Sequence, residues 1–228
     1  MPSSRVVAEA IAQAARTIHD SQGLQQSLQV IAEVARDSVP GFDEVGISTV
    51  DGRGRVETKA ATGDLVWTLD KLQYGLGEGP CVDTLRNATV VTAPKIRHDQ
   101  RWPRFVPPAV KAGLRSQLAV RLYLDRTGVL GGLNLYSTTS DEIDPEAESI
   151  AELFAAHAAI ALGNATEREH LNDALQSRKV IGQALGLVME RYQLSEDRAF
   201  QFLLRASSHG NIKLRDIAAE LVRQANDR

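Results

Sequence analysis

Few residues in this chain have types and spacings suited to chemistry. Gly75, Gly77 and Gly79 form a Gly-x-Gly-x-Gly run that ends in Pro80-Cys81. Glycines in such a run let the backbone turn sharply or approach a ligand closely. No Lys-Ser/Thr pair follows, so the run is not a Walker phosphate loop, and no clear strand precedes it, which argues against a dinucleotide site. Cys81 is the sole cysteine, which excludes an intrachain disulfide and suits a reducing compartment. It is a candidate redox or ligand residue, although a lone cysteine after Gly-Pro is more often a small packed one. His98 and His157 could ligate haem, but neither has a second ligand in its sequence context, and surface or core places are expected for both. Asp125, Asp141 and Glu142 supply carboxylates without a neighbouring nucleophile or metal-ligand spacing, and no HExxH or GxSxG motif occurs. The chain therefore reads as non-enzymatic, with no catalytic residues and no metal site.

The remaining candidates are cations near the C-terminus: Lys179, Arg191, Arg205, Lys213 and Arg215. Each alone reads as a solvated surface charge. From Glu167 onward there are ten Lys/Arg and nine Asp/Glu, while the whole chain carries −3. The C-terminal part is less acidic than the rest but lacks the strong basic footprint of many nucleic-acid binders. Charge by itself does not suggest RNA.

The elements that must position these residues follow from hydrophobic periodicity. Val6 to Ile18 reads as a helix, Ser21-Gln22-Gly23 breaks it, and Leu24, Leu28, Ile31, Val34 and Ala35 mark a second helix ending before Pro40-Gly41. Val45, Ile47 and Thr49 alternate, Asp51 to Gly54 signals a turn, and Arg55 to Ala61 returns as a paired strand. Asp64 to Tyr74 is a short helix or an irregular connection. Thr89 to Ala93 is a short strand, and Pro103 to Ala112 is loop with a short helix. Ser116–Tyr123 and Val129–Tyr136 make the clearest hairpin. From Pro145 the pattern is helical, with Asp144 placed to cap and Glu146 and Glu148 in the first turn. Gly163-Asn164 either breaks that helix or lets it run on to about Tyr192. The strands thus fall within the first part of the chain, flanked by helices, which predicts an α+β fold with an antiparallel sheet, followed by an all-helical segment.

In that segment Ala174, Arg178, Ile181, Leu185, Val188 and Tyr192 lie on one helical stripe, with Val180, Ala184 and Leu187 beside it. Gly182 and Gly186 share a side on which helices can approach closely. Ser195 is an N-cap candidate for a second helix with Ala199, Phe200, Leu203 and Leu204 on its apolar face. Ser207 to Asn211 reads as a turn, and Leu214, Ile217, Ala218, Leu221 and Val222 form the apolar face of a third helix. The run from Ser177 to Arg191, continued by Ser195, Glu196, Ala199, Phe200, Leu203 to Arg205, Ser207, Asn211, Lys213 to Arg215 and Ala218, closely resembles an ANTAR (antitermination regulator) domain. The resemblance implies a three-helix bundle that binds paired RNA hairpins in nascent transcripts and prevents a terminator from forming. It implies contact roles for Lys179, Arg191, Arg205, Lys213 and Arg215. Arg178, Ala184, Gly186, Met189, Phe200 and Leu203 are expected to be structural, because they sit on apolar stripes. Leu185 departs from the lysine that many members carry there, which leaves RNA affinity or target choice open at that position.

Tyr74 to Cys81, with the helix-helix-strand-strand opening and the late hairpin, resembles the GAF domains of bacterial regulators. That implies a sensor domain over residues 1–163 and an RNA-binding domain over residues 164–228. Cyclic nucleotides, haem, tetrapyrroles and no ligand at all remain open for the first domain. Spare apolar stripes on Val6–Ile18 and Glu146–Leu162 predict a homodimer. No apolar run approaches the ~18 residues of a membrane span, and no signal core follows Met1, so a cytoplasmic location is expected. A bacterial signal-responsive antitermination regulator is the reading that results. The alternative is a small-molecule or redox sensor acting through protein partners, with a degenerate ANTAR domain.

Overall fold

The computed structural model describes residues 23–125 and 128–226, without the side chains of residues 169, 170, 172 and 226. The helix expected at Val6–Ile18 lies outside the described residues. Contacts divide the chain into two units, one ending at Ala165 and one beginning at Thr166.

The first unit is built on a five-stranded, wholly antiparallel sheet in the order β2-β1-β5-β4-β3. Helix α1 (Leu24–Ser38) precedes it, with Leu28, Ile31, Ala32 and Ala35 buried at helical spacing. Strands β1 (Glu44–Val50) and β2 (Val56–Ala61) pair through a turn. The Asp51 carboxylate shapes that turn by accepting the Arg53 and Arg55 backbone N–H groups at 2.9 Å each. Helix α2 (Asp64–Leu76), helix α3 (Pro80–Arg86) and β3 (Val90–Ala93) follow. A single 3₁₀ turn (Ile96–His98) and helix α4 (Val106–Lys111) lead to the hairpin of β4 (Ser116–Leu124) and β5 (Gly128–Ser137).

Helix α5 (Ala147–Tyr192) runs 46 residues without a break. Its entry is set by Asp144, whose carboxylate accepts the Glu146 N–H at 2.8 Å while its carbonyl accepts that of Ala147 at 3.0 Å. Gly163 does not end the helix. A methyl group there would overlap a Leu124 side-chain carbon, so the glycine serves close packing rather than a break.

The pleat sorts the sheet's side chains between two layers. Val45, Ile47, Leu118, Val120, Leu122, Leu133 and Leu135 join one core with α1 and the first turns of α5 (Ala147, Ile150, Ala151, Phe154, Ala158, Leu162). On the other face Trp102, Phe105, Val106, Ala109 and Leu114 join Val66 and Leu69 of α2 and Tyr136 of β5. The simple alternation expected of β1 is replaced by four consecutive buried residues, Val45 to Ser48, because helices cover both faces.

The second unit is a three-helix bundle of the end of α5 with α6 (Glu196–Gly210) and α7 (Leu214–Asn226). Its fully buried residues are Ala184, Val188, Ala199, Leu203 and Ala218. Ser195 holds the N-cap position, and its carbonyl, not its hydroxyl, makes the hydrogen bond, to the Ala199 N–H at 2.9 Å. The turn expected over Ser207 to Asn211 is still helix as far as Gly210. Asn211 then ends α6 in the left-handed region (φ 49°), and the Ser207 hydroxyl donates to the Ile212 carbonyl at 2.6 Å.

The approach of β1 to β5 generates a test. A methyl group at Gly131 would overlap the Ser48 carbonyl oxygen, which is backbone and cannot swing away. Gly131→Ala is expected to destabilise the first unit by about 3 kcal/mol or more, at or above the upper end of overpacking penalties. Urea unfolding followed by the fluorescence of Trp67 and Trp102, both in that unit, measures it. An unchanged midpoint would contradict the close approach.

Candidate functional site

The face of the sheet toward α2 and α3 is polar at its centre. Cross-strand partners share a face, so the pairs Gly46–Asn134, Ser48–Gly132, Ala119–Asn134 and Gln117–Tyr136 gather small and hydrogen-bonding groups there. Asp70 of α2 is buried against them. Its carboxylate accepts the hydroxyls of Tyr136 and Thr58. Gln73, one turn on, donates to the Tyr136 oxygen at 3.1 Å and accepts from Gln117 at 3.3 Å. Burial pushes the Asp70 carboxyl up to about 6, although the two donated hydroxyls pull the other way.

The glycine-rich run closes this network. Gly77 caps α2 in the left-handed region (φ 65°), with its N–H on the Gln73 carbonyl at 2.9 Å. Gly79 (φ 130°) lets the chain reverse into α3, and a side chain there would strike the Gln73 carboxamide. The reversal sets the Cys81 N–H on the Gln73 Oε1 at 2.9 Å. Cys81 itself is fully buried, 3.7 Å from the Ser48 hydroxyl, and burial pushes its thiol up to about 12. A thiol held protonated is a poor nucleophile and a poor metal ligand, so Cys81 is placed as a packed residue.

Among the described residues, the amide of Asn134, the Gln117 Oε1 and the Arg121 Nη2 are buried without a hydrogen-bond partner. A cavity of about 450 Å³ opens between β1, β2, α2 and α3, lined by Val50, Arg55, Tyr74, Val82 and Arg86 among others, and none of those three side chains lines it. Tyr74 joins the two regions, with its hydroxyl 4.0 Å from the Cys81 sulfur. Sequence reasoning missed Asp70, Gln73, Gln117 and Asn134, which carry no local motif.

The other candidates are scattered. His98 ends the 3₁₀ turn. His157 lies on α5 with its Nδ1 on the Leu153 carbonyl at 2.8 Å. Asp141 pairs with Arg97, and Glu142 pairs with Lys95 at 2.8 Å. Asp125 lies at the opposite end of the β4–β5 hairpin from Asp141. Among the described residues no cluster of His, Cys, Asp and Glu could hold a metal ion, and no helix is long and apolar enough to cross a membrane.

In the second unit Lys179, Arg191, Arg205, Lys213 and Arg215 are all exposed. Arg215 meets Asp216 at 3.4 Å, a surface contact too weak to hold it in place. The five are not one patch. Lys179 stands twelve residues, about 18 Å along the helix, before Arg191. Lys213 and Arg215 sit where α7 begins.

Of the residues expected to be structural, Ala184 and Leu203 are fully buried and Met189 is half-buried. Gly186, Phe200 and Arg178 are exposed. The stripe drawn through Arg178 meets the bundle only in its middle, at Ile181, Leu185 and Val188, where Val180 and Ala184 of the neighbouring strip join it. Among the described residues nothing lies within 4 Å of a methyl group built at Gly182 or Gly186, so these glycines meet no other described helix. Leu185 packs on the bundle core, which gives its apolar character a structural reason. Tyr192, expected in the core, is 51% exposed.

Comparison with known families accounts for both units. The GAF domain model matches residues 21–163, and the ANTAR domain model matches residues 169–222. The chain belongs to the GAF domain family and carries a C-terminal ANTAR domain. Both are regulatory families rather than catalytic ones. The fold is similar to the GAF domain of a phosphoenolpyruvate-protein phosphotransferase from Acinetobacter (TM-score 0.56, 18% identity, 72% of this chain and 97% of that one). The corresponding GAF domain from Coxiella burnetii gives 0.56 and 16%, over 72% and 96%. A phytochrome photosensory core module from Stigmatella aurantiaca gives 0.57 and 13%, over 85% and 43%. These likenesses are of fold. No curated protein matches the chain.

The buried carboxyl of the GAF domain gives a pH test. Folded, Asp70 keeps its proton to about pH 6, whereas the unfolded chain releases it near pH 4. Between those values the folded state binds more protons, so stability falls as pH rises through the window and stays lower above it. A difference of about two pH units corresponds to about 3 kcal/mol. Urea midpoints at about pH 4 and about pH 7 should show that loss in the native chain and not in Asp70→Asn. Parallel pH profiles for the two proteins would rule out a raised carboxyl.

Proposed function

We propose that the chain is a signal-regulated antitermination regulator, in which a GAF domain over residues 1–163 senses a small molecule and an ANTAR domain over residues 164–228 binds hairpins in nascent RNA. The observation that carries the reading is the order of the two domains in one chain, a sensor family followed directly by an antitermination family. Helix α5 supports it physically. Its first turns pack on the sheet through Ile150, Phe154 and Leu162, and its last turns supply Ala184 and Val188 to the bundle core, with no break between. A helix transmits rotation or translation along its axis, because each turn is hydrogen-bonded to the next. A ligand that alters packing under the sheet thereby acts on residues of the bundle.

RNA hairpins present phosphates and exposed loop bases, which Arg and Lys can pair with. Lys179, Arg191, Arg205, Lys213 and Arg215 are free to reach such groups from the surface. The functional unit is a homodimer. Leu153, Ile160, Leu171 and Leu175 are exposed on α5 at steps of seven, eleven and four residues, each close to a whole number of turns. One apolar stripe results, and a second copy of the same helix would cover it.

Two measurements test the reading. The full chain should bind a two-hairpin RNA more tightly than a scrambled RNA at physiological salt, and equal affinities would sink it. Replacing Arg205, Lys213 and Arg215 together with Ala should flatten the slope of log affinity against log salt by about two units, at roughly 0.7–0.9 per phosphate contact. Such surface changes cost little stability, under about 0.5 kcal/mol each, so an affinity loss with an unaltered slope would mean that these side chains do not touch phosphate. Light scattering at micromolar concentration should give twice the chain mass. Leu171→Glu with Leu175→Glu should give the monomer, and a monomeric native chain, with and without RNA, would dismiss the dimer.

A further inference from the structure

The ANTAR bundle exposes an aromatic pair that neither its core nor its charges explain. Tyr192, at the end of α5, is 51% exposed, and Phe202 of α6 is 44% exposed. Their ring centroids lie 5.4 Å apart, tilted by 36°. The guanidinium of Arg191 lies over the Tyr192 ring at 5.9 Å from its centroid, which extends the platform with a third flat group. The three line a groove of about 470 Å³ among α5, α6 and α7, with Leu221 on its apolar wall and Glu190 and Gln224 as hydrogen-bonding groups. Exposed rings forgo burial worth roughly 1.5–3 kcal/mol for a large apolar side chain. In so small a bundle, two of them facing one groove mark a contact site.

We propose that this groove is the seat of an unpaired nucleobase from the RNA, stacked on Tyr192 and Phe202 and read along its edge by Glu190 and Gln224. The inference rests on the RNA-binding reading given above and adds to it a base-specific site away from the phosphate contacts. Chemistry decides the occupant. An apolar helix from a partner would cover the rings but would strip water from Glu190, Arg191 and Gln224 without replacing their hydrogen bonds. A nucleobase has two flat faces for the rings and the guanidinium, and an edge of donors and acceptors for the carboxylate and the carboxamide. Unpaired bases in RNA loops are bound in this way, by stacking on aromatic side chains and Arg planes. The cations are placed to help. Arg191 lines the groove itself, and Arg205 follows Phe202 by three residues, on the same side of α6. Lys213 just precedes α7 and Arg215 lies in its first turn, about two and a half turns before Gln224, where they can hold a stem's phosphates while a loop reaches the groove.

The test compares the full native chain with Tyr192→Leu plus Phe202→Leu, which keeps apolar bulk and removes both stacking faces. The probes are a two-hairpin RNA, the same RNA with 2-aminopurine in one loop, and the same stems with abasic loops. The native chain should quench the 2-aminopurine and bind the base-bearing RNA roughly tenfold or more tighter than the abasic one, which is within the worth of one stacked base. The leucine variant should lose that advantage, bind the two RNAs alike and keep the native salt slope, since no phosphate contact is removed. If the variant fails to fold by circular dichroism, the comparison of loops on the native chain still decides. Equal native affinity for base-bearing and abasic loops overturns the groove while leaving the RNA reading intact. Unaltered RNA affinity in a leucine variant that has become monomeric overturns it too, by giving the groove to a second copy. A native chain that binds neither RNA above a scrambled control overturns both readings.

Discussion

Along β5, Leu133 and Leu135 project to one side and Gly132, Asn134 and Tyr136 to the other. Because helices cover both faces of the sheet, neither side faces water, and each demands a different cover. The leucine side takes the alanine- and leucine-rich faces of α1 and α5, where burial alone is enough. The other side brings a phenol, a carboxamide and a serine hydroxyl into the interior, and an unmet polar group there costs about 1–3 kcal/mol. Helix α2 answers with Asp70 and Gln73, one turn apart, and the glycine reversal brings Cys81 in over the space that Gly132 leaves open. Asn134, Gln117 and Arg121 on that side still keep buried polar atoms without a partner among the described residues. The buried polar network and the folding constraint are thus the same arrangement of side chains.

That division explains what could be read from the amino-acid order. Helices with one apolar stripe and the β4–β5 hairpin were legible because their signals are local: a 3.6-residue period, a two-residue alternation and a Gly at the turn. The ANTAR match was legible for the same reason, since its residues recur at fixed helical intervals. Asp70 was not legible. Beside Lys71 it has the look of a solvent-facing helix residue, and its burial is decided by Thr58 and by Tyr136, 66 positions later. Gly163 was open for a related reason. A glycine before an asparagine fits a break or a continuing helix, and its role is set by Leu124, which comes against the helix from the end of β4. Arg178, Gly186 and Phe200 misled for a third reason. The apolar faces of the bundle helices are wide, and periodicity cannot say which of their residues meet the other helices and which stand at the edge, facing outward.

The bundle's core completes the argument, because three of its five fully buried residues are alanines, Ala184, Ala199 and Ala218. Small residues at the contacts let helices come close, but close helices leave little volume for rings between them. Tyr192 and Phe202 are therefore displaced to the rim, where they meet each other instead of the core. A unit of this size buries only about 60% of the surface its unfolded chain exposes and has little stability to spare. Apolar area left at its rim is stability the bundle recovers only when something covers it. Any occupant that binds the folded bundle alone raises its stability by RT times the logarithm of one plus its free concentration over its Kd. Folding of the bundle and the covering of its rim are for that reason linked through the same two rings.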